Sequence, residues 1–364
     1  MESQPPANIN RTTKQTAWLL YATALALLLW GFLAVYIPAY RVRSLLKALK
    51  QVKEAGGVGD ATIQSSLPRS WTATAARWKL KQYLWMFDTR VTEIRASHPT
   101  VNDEWLIRIR AFNSLTALNV EGSSVTDSGL IHCSPLSGLR ALSLRNTVIT
   151  GRGMAYLNCP DLRLLDVSGS KWSDAGMAQL YRFDLLSELQ CSDTSITNLG
   201  LASLAGSRHH NLQEINLVRT SITGDGLTHL ARLRGLTNIR LSTANISKAL
   251  RGLPFLDTLY LDGDLPDERQ CHYLPDCAEL YFVNSPINDE ALRVIANSHC
   301  GKSVTRISTD SPRLTDRGLL YLTNVAQLNA ISSNGTQFTA SGLAEMNSIR
   351  NGLGLAKIVF VDLE

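Results

Sequence analysis

The sequence predicts an α/β solenoid, built from stacked strand-and-helix units and preceded by one transmembrane helix. Two observations carry this. A unit of about 24 residues recurs along residues 91–364, and an uncharged, largely apolar run extends from Thr16 to Tyr40. Composition agrees: 45% hydrophobic and 18% charged residues describe a chain that builds a core, because disorder needs low hydrophobicity with high net charge.

Residues 1–15 are a short N-terminal tail. Residues 16–40 follow as a membrane span, because Ala17–Ile37 exceeds the roughly 20 apolar residues a helix needs to cross a bilayer. Trp18 and Tyr21 lie near one end and Tyr36 and Tyr40 near the other, where amphipathic rings favour the headgroup level. A cleaved signal peptide has a shorter apolar region, and here Arg41 and Arg43 follow directly, so the segment reads as a retained anchor. Arg11 and Lys14 lie upstream, whereas Arg41, Arg43, Lys47, Lys50 and Lys53 lie downstream; the positive-inside rule places the repeats in the cytoplasm. The opposite orientation stays open, since many N-terminal anchors export the domain that follows.

Residues 41–70 read as a basic juxtamembrane helix and a linker. Val42, Leu45, Leu46, Leu49 and Val52 recur at helical spacing. Such a helix is expected to insert its apolar stripe into the headgroup boundary while Arg41, Arg43, Lys47 and Lys50 meet anionic phosphates. Continuation of the membrane helix as a stalk is the competing expectation. Gly56, Gly57 and Gly59 then break the pattern, and 56–70 is a linker by composition. Residues 71–90 fit an N-terminal cap helix, with Trp71, Trp78 and Trp85 at regular spacing and Trp105 in the first unit. That aromatic mass is expected to seal the first strand.

About twelve units follow over 91–364. Aligned on Leu-x-x-Leu-x-Leu they start at Val91, Leu115, Leu139, Leu162, Leu186, Leu212, Leu236, Leu256, Cys277, Val304, Leu328 and Leu355. The second half recurs as well: Val125-Thr126-Asp127-Ser128-Gly129-Leu130, Trp172-Ser173-Asp174-Ala175-Gly176-Met177, Leu314-Thr315-Asp316-Arg317-Gly318-Leu319 and others. The first half supplies a short strand with alternate side chains inward. Ile or Val then inserts into the core, Thr and Asp suit a helix N-cap, and Gly-Leu-x-x-Leu opens a helix with one apolar face. Glycine at that place is expected to permit close packing, since its helix propensity is poor.

These units resemble leucine-rich repeats, in particular the cysteine-containing, ribonuclease-inhibitor-like subclass and bacterial membrane-anchored proteins with tandem T-x-I-T-D-x-G-L units. The spacing falls within that family's range. The resemblance covers residues 91–364. It implies a horseshoe with parallel strands on the concave face and helices on the convex face, and no particular ligand.

Register assigns the outward strand positions. A protein-binding surface on the concave face is expected from Arg145, Asp166, Gln190, Asn216, Arg240, Tyr260, Tyr281 and Arg306. Tyr260 and Tyr281 occupy the same position of neighbouring units and are expected side by side, next to Arg240. Tyr and Arg dominate interface hot spots.

The cysteines, Cys133, Cys159, Cys191, Cys271, Cys277 and Cys300, fall largely on core positions of the repeat and read as small buried hydrophobes. Cys271-His272, Cys277 and His299-Cys300 suggest a metal site, but they lack the paired spacing of structural zinc. No phosphate loop, nucleophile elbow or metalloprotease helix occurs in the sequence. Residues 1–90 hold twelve Lys and Arg against four acids, while the remainder holds 24 against 27, so the repeats lack the basic excess of a nucleic-acid reader. No cofactor is expected. The units at 236–276 are short and lack the Thr-Asp-x-Gly-Leu element, and the C-terminal strand leaves a sheet edge through which two chains are expected to pair. The function expected is a membrane-tethered, non-catalytic protein-interaction module. A self-assembling envelope structure and a metal-dependent enzyme at the Cys/His cluster are the alternatives.

Overall fold

Each unit becomes one strand, and the strands pair in sequence order. The computed structural model describes residues 25–26, 40–64, 90–206, 211–253, 256–265, 267–332 and 334–361. A 13-stranded sheet runs from β1 (Val58–Gln64) to β13 (Val359–Val361). Only β1 with β2 (Arg90–Ser97) is antiparallel; every later pair is parallel. One ladder of inward side chains passes through Ile94, Leu118, Leu142, Leu165, Leu189, Ile215, Ile239, Leu259, Leu280, Ile307 and Ile331. All eleven are buried. Burying such a side chain contributes roughly 1.5–3 kcal/mol, so this column holds the stack together.

The N-terminal end differs from the sequence expectation. The helix over 40–54, here α1, does place Val42, Leu45, Leu49 and Val52 on one face, joined by Ala48, but that face is buried in the solenoid core at 4% exposure or less. The stripe is therefore taken by protein and not by lipid, and Leu46 points outward at 42% exposure. The linker expectation for 56–70 is corrected over 58–64, which form β1. The three glycines are structural. Gly56, at φ +89°, ends α1 with Gly56 N–H donating to Lys53 O and Gly57 N–H to Val52 O at 3.0 and 2.9 Å, the paired closure of a left-handed helix cap. Side chains at Gly57 and Gly59 would collide with Ser97 O and Leu49 O. Close approach, and not flexibility, selects glycine there. The cap expected at 71–90 lies outside the described residues, save Arg90 in β2. So does the membrane span, apart from Leu25, Ala26 and Tyr40. Among the described residues no helix is long and apolar enough to cross a membrane.

The second half of the unit explains its own motif. Asp289 accepts from the backbone N–H and the hydroxyl of Thr315 in the next unit at 2.9 and 2.6 Å. The same pair of bonds joins Asp103 to Thr126, Asp127 to Thr150, Asp174 to Thr197 and Asp316 to Thr339. Aspartate thus ties one unit to the next, rather than capping its own helix; that task falls to residues such as Asn288 and Thr339. A Cβ on Gly129, Gly200, Gly318 or Gly342 would run into the preceding unit's Asp side chain. Where Gly151 replaces that aspartate, the indole of Trp172 fills the volume and meets the space above Gly176. Several helices are single turns, 129–133 and 152–156 among them, because little chain remains between strands.

At 236–276 the loss of this element accompanies longer strands. β8 (Asn238–Ser242), β9 (Leu256–Asp262) and β10 (Cys277–Val283) run five to seven residues, against three in Ala117–Asn119 and the next four. Backbone bonding along the sheet replaces the missing Asp–Thr tie.

At the C-terminal end the register is shifted. Phe360 pairs with Ile331, so Leu355 does not start a repeat strand as the spacing suggests. Asn347, on α2 (Ala340–Gly352), holds Ile358 through both its N–H and its carbonyl, which draws the chain inward before β13 begins. Arg350 on the same helix is fully buried and donates to Thr323 O, Val325 O, Leu328 O and Ala356 O at 2.8–3.2 Å. It closes the last turn of the core by satisfying four carbonyls, while burial lowers its pKa. β13 is the last described strand, and Val359 on it is 56% exposed.

Candidate functional site

The open face of the sheet, away from the helices, holds most of the residues expected to bind a partner. Asp166, Gln190, Asn216, Arg240, Tyr260 and Tyr281 stand in one row, each cross-strand partner of the next. Neighbouring strands lie about 4.8 Å apart, so equivalent side chains touch. Arg306 belongs to the parallel row with Glu279, and Arg145 lies two residues past Ser143 beyond its strand.

Within the row the aromatic end is organised. The Arg240 guanidinium lies 4.2 Å from the Tyr260 ring centroid, and Tyr260 stacks on Tyr281 at 4.6 Å with 23° between planes. Tyr281 donates its hydroxyl to Glu279 at 2.9 Å, and Glu279 faces Arg306 at 3.7 Å. Burial, first, raises the Tyr281 pKa, so the phenol stays protonated; its bond with Tyr281 and the charge of Glu279 raise that of Arg306. Gln190 donates to Glu188 and Glu214, and Arg240 pairs with Glu214 at 3.5 Å. The result is a cation, two stacked rings and a second cation, with Glu214 beside Arg240 and Glu279 shared by Tyr281 and Arg306. This presents preformed aromatic surface with charged groups already oriented, which lowers the entropy lost on association.

Two expected members are spent on the fold. Asp166 accepts the Ser168 N–H at 2.9 Å and Asn216 the Val218 N–H at 3.1 Å, holding the turn after their strands. Arg145 pairs with Glu121 at 3.3 Å, separate from the tyrosines.

Register reasoning missed the neighbouring row. Arg219 binds Asp193 through Nε and Nη2 at 2.6 and 3.0 Å and Asp262 through Nη1 at 2.7 Å, while Asn284 donates to Asp262 at 2.8 Å. The hydrogen bond from Arg219 holds the Asp193 pKa below its usual value. Asn146, Asp193, Arg219 and Asn284 share a left-handed conformation at the strand exit, a position where other units carry glycine. An arginine at such a place was the available signal.

All six cysteines are buried and unbridged. Cys277 and Cys300 bring their sulfurs to 3.5 Å, and His299 bonds Asp276 at 2.5 Å instead of turning to them. Among the described residues no group of three or more His, Cys, Asp or Glu side chains is placed to hold a metal. His209 and His210 lie outside the described residues. On α1, Arg41, Arg43, Lys47 and Lys50 are exposed on the side away from the core.

No family model matches the chain, and no curated protein matches it. Among solved structures it is similar to an internalin from Listeria monocytogenes, at 15% identity and a TM-score of 0.36, over 80% of this chain and 94% of that one. The fold is an α/β solenoid with a long parallel sheet, consistent with a leucine-rich repeat protein. The repeating unit and its register carry that statement.

Proposed function

We propose that this chain is a non-catalytic recognition module that binds another protein on the open face of its sheet, around Arg240, Tyr260, Tyr281 and Arg306. The observation that carries this reading is the Arg240–Tyr260–Tyr281 stack, an ordered cation and aromatic surface contributed by three successive strands. Such residues supply large contact area at little cost in side-chain freedom. The recurrent Asp–Thr ties and buried cysteines support placing the solenoid in the cysteine-containing, ribonuclease-inhibitor-like subclass. The apolar run at 16–40 supports a single-pass tether with the exposed cations of α1 at the membrane surface, and the charge asymmetry supports a cytoplasmic solenoid. Proteolysis of sealed vesicles tests that orientation.

The binding test compares cross-linked partners of the wild type with those of a chain carrying Arg240→Ala, Tyr260→Ala and Tyr281→Ala. Loss of a partner with unchanged circular dichroism is expected. Full retention of every partner refutes the reading.

The exposed edge at Val359 supports a second reading, pairing of two copies through β13. A dimer in sedimentation that Val359→Lys dissolves is the expected result, and a monomeric wild type overturns it.

A further inference from the structure

A cavity of about 480 Å³ opens where the chain enters β9, β10 and Arg306–Thr309, on segments that precede the strands and not on the open face. Leu253, Leu274 and Pro275 give it apolar walls, while Arg251, His272, His299 and Lys302 stand around it. Three successive units supply these basic groups. A second hollow of about 490 Å³ adjoins the first, sharing His272 and Asn297, and adds Asp267, Arg269 and Arg293, the last paired with Glu290 at 2.5 Å.

The charge here runs against its surroundings. Residues 91–364 carry more acids than bases, yet among the described residues the first cavity has a single carboxylate, Asp276, and that oxygen is bonded to His299 at 2.5 Å. Arg251 is held in place: it donates to His272 O at 3.0 Å, and its guanidinium lies 5.4 Å from the Tyr273 ring centroid. Lys302 has no acid facing it among the ion pairs of the described residues. A cation would meet repulsion in such a space. An oxyanion meets the charges of Arg251 and Lys302, and low-dielectric walls focus the field on it. Arginine with lysine and imidazole is the donor set that suits phosphate oxygens.

We propose that this cavity binds a phosphate-bearing anion. The shortened units at 236–276 then have a purpose: each removes the segment that would carry a Thr-Asp-x-Gly-Leu turn and brings Arg251 and His272 to one rim. The site is separate from the tyrosine stack and stands or falls independently of it.

The test is calorimetric titration of the detergent-solubilised full chain with inorganic phosphate and, separately, with an inositol phosphate, ionic strength held constant with sodium chloride. Saturable binding is expected, weakened on the order of tenfold by Arg251→Ala and by Lys302→Ala, each of which removes a charge-assisted contact. Arg152→Ala, an exposed cation on a helix several units away, is expected to leave it unchanged. Saturation by inorganic phosphate supports a free phosphate as the ligand, and saturation by the inositol phosphate alone supports a lipid headgroup. Absence of saturable binding by both probes, or equal weakening by Arg152→Ala, overturns the proposal.

Discussion

Asp289 holds Thr315 of the following unit by two hydrogen bonds, and the same carboxylate occupies the space a side chain on Gly318 would need. Three residues from two units thus form one joint. Asp289→Ala is expected to cost about 1–3 kcal/mol in urea unfolding, because the bonds are charge-assisted. Gly318→Ala is expected to cost a similar amount alone and less in the presence of Asp289→Ala, since the colliding carboxylate is gone. Strict additivity of the two would refute the joint.

For α1, the core and the lipid assign opposite consequences to one substitution. Leu45 is fully buried and Leu46 is not. Leu45→Asp is expected to destabilise the solenoid by several kcal/mol, as an unpaired charge in the core does. Leu46→Asp is expected to change it by less than about 0.5 kcal/mol. Thermal unfolding of both variants checks this; equal midpoints would return the apolar stripe to the membrane.

Removing Arg350 leaves Thr323, Val325, Leu328 and Ala356 with carbonyls that lose a donor. Arg350→Met is expected to cost about 3 kcal/mol or more, and Arg350→Lys to recover only part, because an ammonium lacks the planar fork. Limited proteolysis should then cut first in the C-terminal units.

Arg219 combines a favourable contact with an unfavourable backbone. Its φ of +53° strains any residue with a Cβ, while its guanidinium joins Asp193 and Asp262. Arg219→Ala is expected to cost up to about 1 kcal/mol, as its exposed ion pairs are screened by water and salt. Arg219→Gly should be about 1 kcal/mol more stable than the alanine variant. The lowered pKa of Asp193 means the pair's contribution is present above the ordinary carboxylate pKa of 3.8 and is lost as pH falls through the depressed value. Acid titration of stability in wild type and Arg219→Ala should diverge in that window.

Burial raises the thiols of Cys133 and Cys271 to about 12 and of Cys159 to about 11, from an ordinary 9.0. The unfolded chain therefore ionises first on the alkaline side. The contribution of these protonated thiols is complete below pH 9.0 and is lost as pH rises toward 11 and 12. The folded chain should resist iodoacetamide at neutral pH, and all six cysteines should react once urea unfolds it. Rapid labelling of the native chain would contradict the placement of these residues.

Strand order, register and the adjacency of Tyr260 and Tyr281 were legible because each depends on apolar periodicity alone. Hydrophobic spacing also revealed α1, but a stripe states that a face is covered and not by what. Gly57 and Gly59 carry the composition of a linker, yet what they accommodate is backbone drawn in from Ser97 and Leu49. Likewise the motif glycine was readable as close packing, whereas its neighbour, an aspartate about one unit upstream, was not. The bridge from Arg219 to Asp262 spans 43 residues and depends on a left-handed turn, which no linear pattern encodes. Asn347 similarly displaced the last strand through a pair of bonds to Ile358 that the repeat pattern does not contain.

The exchange at Gly151 and Trp172 bears on how such an array can grow. At Asp103, Asp127, Asp174, Asp289 and Asp316 a unit offers a carboxylate that a Thr of the next unit receives. The unit starting at Leu139 offers a glycine, and the one starting at Leu162 answers with an indole. A copy of either alone would set a carboxylate against the indole or leave a hollow beside the glycine. Gly151 and Trp172 are therefore complementary across the joint, and duplication of either unit alone would break the fit that the two make together.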